Sequence, residues 1–298
     1  MLRRLVDKPR NGEEPTRGCP PEPVYGKLFR LFLTNHFAMN NKKYTVLTYL
    51  MGENYECTHK ILEKTPDTDF ILVTDNPNYV DENGWDVVCD ESLKRYANPF
   101  DRVLYVRYHP WQYTDSEVVM RIDASVQVCK DLTPLFEALG DDEIAIHTHP
   151  GRNIVFDEIQ AWVNGRGMEP DKANKALWVM AQLEGYDVKN YKGLYELSWW
   201  VQRHTATQDA LNEMAYAMNK YCGDKDGDFR CDQAVFSFVL NKYFNQIPTQ
   251  AWDVRLLASK FFTWYLHNSE DTYFVDEQKL VKPFLFNKRV MTKRPQDY

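Results

Sequence analysis

The chain has 298 residues, 44% of them hydrophobic and 14% aromatic, enough for one large α/β domain or two smaller ones with a substantial core. Lys and Arg number 36 against 43 Asp and Glu, a formal net charge of −7. That balance argues against a broad nucleic-acid footprint and for a few local cations meeting any anionic ligand.

No apolar run is long enough to span a bilayer. The start, MLRRLVDKPRNGEEP, has Arg3 and Arg4 but no apolar stretch after them, so no secretory signal is expected. The cysteines (Cys19, Cys57, Cys89, Cys129, Cys222, Cys231) show no CxxC spacing and read as reduced thiols in a cytoplasm. Cys57, Cys89 and Cys129 lie in or beside apolar runs and read as small buried hydrophobes.

Residues 1 to about 25 are rich in proline and charge and read as an arm, and 26–41 could be helix or strand. A regular series follows. YTVLTYLMG (44–52) is β-branched and aromatic, a strand ending in Gly52; ENYECTHKILEKTP (53–66) has helical spacing up to Pro66. DFILVTD (69–75) and EVVMRID (117–123) are near-continuous apolar runs, the pattern of strands buried on both faces. GWDVVCDE (84–91) repeats this more weakly, and DRVLYVRYHPWQY (101–113) is ambiguous because Pro110 interrupts it. VQV and a helix start at DLTPLFEAL come next. From about 150 the texture turns helical, over 154–164, 170–184, 206–221, 231–244 and 252–266, with a basic tail from about 285. Strands alternating with helices imply an α/β sheet with parallel core strands.

Asp75 and Asp123 both fall at strand ends, where ligands meet a parallel sheet. An ionised carboxylate there is costly unless something pairs with it. Arg121 lies two residues earlier, on the same strand face as Asp123. Asp232-Gln233 opens an apolar helical run, and Asp232 reads equally as a charge stabilising the helix dipole. His147 and His149 in HTHP could form a metal pair or a single ligand contact. The loop DKDGD (224–228) lacks EF-hand spacing and reads as solvated. No GxGxxG, Walker A or nucleophile-elbow motif is present.

The collinear series YTVLTYLMGENYE, DFILVTDNP, GWDVV, RVLYVRYHPWQYTDSEVVMRIDASVQV, IHTHPGRNIVFDEIQA, GLYELSWWVQRHT and FRCDQAVFSFVLNKY resembles a known group over roughly 44–245. This is a glycosyltransferase-like domain of unknown function related to plant Golgi proteins with mucilage and pollen-turgor phenotypes, and also found in bacterial and viral proteins. The resemblance implies a GT-A-like nucleotide-diphospho-sugar transferase fold: a mixed, mainly parallel sheet flanked by helices, with a helix-rich C-terminal part. It divides the chain into a lead-in (1–43), a transferase domain (44–250) and a C-terminal helix with basic tail (251–298). The implied activity moves a sugar from a nucleotide-sugar donor, a UDP-sugar first among candidates, to a glycan or other hydroxyl acceptor in a bacterial or viral-host cytosol. A non-catalytic glycan- or nucleotide-binding protein and a nucleotidyltransferase remain the alternatives.

By the same resemblance Asp123 is the catalytic-site acid and the candidate metal ligand for Mn²⁺ or Mg²⁺. The Asp-x-Asp signature reads Asp123-Ala124-Ser125 here, so the second carboxylate is missing. Ser125 could replace it as an oxygen ligand, or Arg121, Arg152 or Arg203 could neutralise the diphosphate instead. Thr48, Tyr49, Gly52, Asp75, Arg121, Ser125, His149, Arg152 and Gln233 are the implied donor contacts. Glu158, Glu196, Arg203 and His204 are implied to face the sugar or acceptor, and Asp232 to act in catalysis beside Asp123.

Overall fold

The computed structural model describes residues 42–52, 58–149, 151–165, 167–183, 185–190, 193–223, 231–245, 249–252, 261–265 and 272–273, all within the unit Asn40–Tyr298. The arm, the residues 26–41, the DKDGD loop, Cys19, Cys57 and the basic tail lie outside them.

The apolar runs form strands where they were expected: β1 Tyr44–Leu50, β2 Thr68–Thr74, β3 Asp86–Cys89 and β4 Val118–Ile122. β1 and β4 are buried along their whole length, as strands covered on both faces must be. Helix α1, Pro99–Tyr108, resolves the ambiguous segment. Asn98 caps it by accepting from the Phe100 N–H, Pro99 presets the first turn, and the chain leaves the helix before Pro110. β5 Val126–Val128, α2 Thr133–Glu137, β6 Ile144–Thr148, α3 Val155–Gly165 and α4 Pro170–Trp178 follow. Next come β7 Tyr195–Arg203, α5 Ala206–Cys222, α6 Asp232–Tyr243, β8 Thr249–Trp252, β9 Phe262–Tyr265 and β10 Thr272–Tyr273.

The seven-stranded sheet has the order β3-β2-β1-β4-β7-β6-β8, and a smaller sheet runs β10-β9-β5. In the large sheet, β1 runs parallel to β2 and β4, β2 to β3, and β6 to β8. β7 runs antiparallel to both of its neighbours, β4 and β6. The expected mixed, mainly parallel sheet flanked by helices is what the chain forms. No helix among the described residues is long and apolar enough to cross a membrane.

Four expectations need correction. Residues 58–66 are not helical. Their backbone groups bond to distant partners instead: Leu62 N–H donates to Val128 O of β5, Ile61 N–H to Asn83 O, and the Asn83 side chain to Thr58 O. The segment 252–266 is not one helix either, because Phe262–Trp264 pair as a strand with Val126–Val128. The helical texture after 150 hides β7, which sits in the centre of the sheet. Cys89 is exposed because β3 is the edge strand, and Cys129 is half-buried.

β7 explains how the two halves of the core meet. Its neighbours Trp199 and Trp200 point to opposite faces, as adjacent strand residues do, and both are fully buried. Trp200 packs with Tyr108, Ile144, Phe236 and the helices α3 to α6. Trp199 packs with Val46, Met120, Ile122 and Phe262 on the other face. Trp199→Ala empties the second core at the sheet's centre and is expected to cost about 3–5 kcal/mol of stability. Urea denaturation measures this, and a loss below about 1 kcal/mol would contradict the placement of β7.

Candidate active site

The topology collects chemistry at one edge. β1, β2, β4 and β6 finish there, and because β7 runs the other way it begins there: Ile122 pairs with Trp199, His147 with Glu196 and Thr148 with Tyr195. Two side chains of α6 hold the start of β7, with Ser237 Oγ accepting from the Tyr195 N–H and Gln233 Oε1 from the Leu197 N–H. Asp232, the first residue of α6, is therefore carried to the same edge.

Gly52 follows β1 with φ 79°, a conformation that suits glycine, and a Cβ there would stand 3.2 Å from Pro99 Cγ. Its N–H donates to Asp75 Oδ1 at 3.0 Å, and Arg102 pairs with Asp75 Oδ2. Asp75 is thus buried but paired. Thr48 is fully buried, and its hydroxyl has no partner among the described residues.

Asp123 is joined to β7 by its own N–H, which donates to Ser198 O at 2.8 Å. Its Oδ1 accepts from Tyr49 Oη at 3.0 Å and from Arg107 Nη2 at 2.5 Å. Arg107 Nε donates to Tyr49 Oη at 2.5 Å, and Arg107 Nη1 pairs with Asp232 Oδ2. One buried guanidinium from α1 therefore links β1, β4 and α6. Burial would pull the Arg107 pKa down, but Tyr49 and Asp123 hold it above its ordinary value. Burial also raises the Tyr49 hydroxyl, so Tyr49 acts as a hydrogen-bonding bridge.

A second cluster lies alongside. Glu158 is fully buried on α3, with Oε2 accepting from Arg152 Nε at 2.5 Å. Its Oε1 accepts from Trp162 Nε1 at 3.0 Å and from Gln233 Nε2 at 2.9 Å. Burial pushes its pKa up, yet Arg152, then His149, hold it below the ordinary carboxylate value. His149 Nδ1 accepts from the N–H groups of Gly151 and Arg152, which tie the loop after β6.

Glu196 has the reverse balance. Burial pushes its carboxyl up to about 7; a hydrogen bond to Ser198 opposes this, and the charges of Asp123 and Glu158 add to it. His147 Nδ1 lies 3.8 Å away, on a fully buried ring that burial lowers to about 3, so it is neutral and gives Glu196 no counter-charge. A carboxyl that titrates near 7 beside other acids is suited to proton transfer.

Three expected contacts lie elsewhere. Arg121 is fully buried between Trp111 and Trp200, donates to Gln202 Oε1, and burial lowers its pKa to about 9. Arg203 is opposite Val118, at the start of β4, where it pairs with Glu117. His204 follows it and stacks on Trp111 with ring centroids 4.4 Å apart. Five residues of strand, roughly 16 Å, separate that end from Asp123. Ser125 is half-buried in the turn that the Val126 N–H closes onto Asp123 O. Sequence reasoning missed Arg107 and Arg102, and it gave Glu196 no proton-transfer role.

The described residues do not make a set for a divalent ion. Among the described residues no three of His, Cys, Asp and Glu gather to hold a metal, and Asp123 turns its Oδ1 to a guanidinium.

The Glu196 carboxyl makes stability depend on pH. Between about pH 4.5 and 7 the folded chain keeps a proton that the unfolded chain has released, so stability falls as pH rises and the full cost stands above 7. Its side chain is 17% exposed, which lets water relieve part of that cost. Glu196→Gln is expected to gain up to roughly 2 to 3 kcal/mol on the wild type between pH 5 and pH 8. Urea denaturation at both pH values reads the difference, and an unchanged gap would contradict the raised pKa.

No protein-family model matches the chain, and no curated protein sequence does. Among solved structures it is similar to the apo form of the bifunctional glycosyltransferase WbbM, at 10% identity and a TM-score of 0.45. That match covers 72% of this chain but only 39% of WbbM. It is similar to apo mouse xyloside xylosyltransferase 1 at 10% identity and a TM-score of 0.39, over 71% of this chain and 85% of that one. It is also similar to the galactosyltransferase LgtC, solved with donor and acceptor sugar analogues, at 15% identity and a TM-score of 0.38, over 71% and 74% of the two chains.

Proposed function

We propose that the chain is a glycosyltransferase of GT-A-like fold that moves a sugar from a nucleoside-diphosphate donor to a hydroxyl acceptor. The observation that carries this reading is the convergence of Gly52, Asp75, Tyr49, Asp123, Asp232, Arg152, Glu158 and Glu196 on the carboxyl edge of a mainly parallel sheet. The collinear sequence resemblance points the same way, with a UDP-sugar as the leading donor.

In this reading the turn at Gly52 and Asp75 receives the nucleoside, with Asp75 accepting from a base N–H or a ribose hydroxyl. Asp123 and Asp232 accept from hydroxyls of the ribose or the transferred sugar. Arg152, whose side chain is 22% exposed, faces the diphosphate. The bond from the anomeric carbon to the diphosphate oxygen breaks, and that electron pair leaves with the nucleoside diphosphate. The acceptor oxygen bonds to the anomeric carbon as its proton passes to the Glu196 carboxylate.

The test incubates the protein with a panel of nucleotide sugars and simple glycan acceptors and measures nucleoside-diphosphate release. One donor is expected to be turned over, and Asp123→Asn and Asp232→Asn, assayed below their own melting temperatures, are each expected to lower its rate by about 10²-fold or more. Thermal shift without turnover would favour a non-catalytic binder. Pyrophosphate as product would mean nucleotidyl transfer, and neither binding nor turnover would sink the donor-site assignment.

A further inference from the structure

We infer that Arg107 is the resident cation of this site, standing between Asp123 and Asp232 where a divalent ion would otherwise bridge two carboxylates. This deepens the transferase reading and rests on it for the identity of the ligand, but the claim about the cation can be tested alone.

The geometry is specific. Three different nitrogens of one guanidinium reach three groups from three elements: Nη2 to Asp123 Oδ1, Nη1 to Asp232 Oδ2 and Nε to Tyr49 Oη. Tyr49 closes the ring by donating to Asp123 Oδ1. The guanidinium carbon lies 5.3 Å from the centroid of the Tyr49 ring and 5.8 Å from that of Trp200, so the cation also has aromatic faces beside it. A fixed planar fork of this kind suits two carboxylates better than a flexible ammonium would.

The arrangement leaves little place for a second cation. A divalent ion needs several oxygen ligands at close range. One placed between Asp123 and Asp232 would press against a buried positive charge that already occupies one oxygen of each. Asp123 Oδ2 and Asp232 Oδ1 are the carboxylate oxygens not turned to Arg107. Those two oxygens are acceptors only, held in fixed directions, and they match the hydroxyls of a ribose or a sugar. The missing second carboxylate of the Asp-x-Asp signature then has a physical counterpart, since a site with an internal cation has no call for the extra ligand.

The experiment titrates Mn²⁺ alone, with no nucleotide, and follows free Mn²⁺ by electron paramagnetic resonance. Wild-type protein is expected to show no site that Asp123→Asn removes. Arg107→Ala frees both carboxylates and is expected to gain a Mn²⁺ site at least about tenfold tighter, lost again when Asp123→Asn is added. Tight Mn²⁺ binding by the wild type that Asp123→Asn abolishes would overturn the inference. If Arg107→Ala does not fold, the comparison of wild type with Asp123→Asn still decides it. A parallel titration with UDP, GDP, CDP, ADP and dTDP in EDTA and in Mn²⁺ separates the two claims. Binding that differs by less than about twofold supports Arg107 as the cation. Binding that requires Mn²⁺ at Asp123 overturns it while leaving the transferase reading intact. Failure of every nucleotide in both buffers sinks the donor-site reading, and the Mn²⁺ result alone then judges Arg107.

Discussion

Strand β7 runs against both of its neighbours in the sheet, and the site depends on that reversal. Because it travels from the ligand edge toward the opposite edge, its first residues lie beside the last residues of β4 and β6. Glu196 is thereby placed with Asp123, and Arg203 is carried away from it. A parallel strand in the same slot would exchange those ends. The reversal also fixes α6, whose Ser237 and Gln233 hold the backbone at the start of β7 and so bring Asp232 to the edge. Two adjacent tryptophans on opposite faces secure the strand to both halves of the core, so the position of the acids is tied to the burial of large apolar side chains.

The charges at the edge follow a consistent division. Asp75, Glu158, Asp123 and Asp232 each pair with an arginine, while Glu196 lies beside a neutral histidine, and its burial and two acidic neighbours outweigh the hydrogen bond to Ser198 and the more weakly felt charge of Arg152. Buried ion pairs of this sort add little net stability, and removing one partner from such a pair is costly. Their contribution here is orientation: each carboxylate is held in one direction by an immobile cation. Glu196, which makes no ion pair with an arginine among the described residues, is the acid whose carboxyl burial pushes up to about 7, where it can exchange a proton near neutral pH. Which acids bind and which moves a proton follows from where the arginines are, more than from the number of acids.

Much of the sheet was legible because a strand buried on both faces has to read as a continuous apolar run, and β1, β2 and β4 do. The same rule could have found β7, since LSWWV is as apolar as ILV or EVVM; the helical spacing on both sides of it, in α4 and α5, obscured it. The segment 53–66 shows the opposite error. Its spacing fits a helix, but its described part gives its hydrogen bonds to Asn83 and Val128, and such non-local partners leave no periodic trace. Asp123 was readable as a costly acid at a strand end. Arg107 was not, because its partners lie 16 and 125 positions away along the chain and nothing local marks a guanidinium as shared. Asn98-Pro99 did carry a usable signal, a cap and first turn, from which Arg107 could have been placed on the buried side of α1 with Leu104 and Tyr108.

Arg121 shows why a cation in the right sequence neighbourhood need not serve the ligand. It and Asp123 occupy the same face of one extended segment, yet Arg121 is inside the sheet, over Trp200 at 4.9 Å, while Arg107 approaches the same indole at 5.8 Å. The two guanidiniums are therefore within about 11 Å of each other, and at an effective dielectric of 20 their repulsion is on the order of 1.5 kcal/mol. Arg107 is held charged by carboxylates; Arg121 has an amide and two aromatic faces, and burial shifts it toward the neutral form. Arg107 also disfavours its charge, while Tyr49, Tyr108 and Asp209 favour it. The carboxylates at the edge are thus served by the guanidinium that touches them, and the arginine two residues from Asp123 in the chain serves the core.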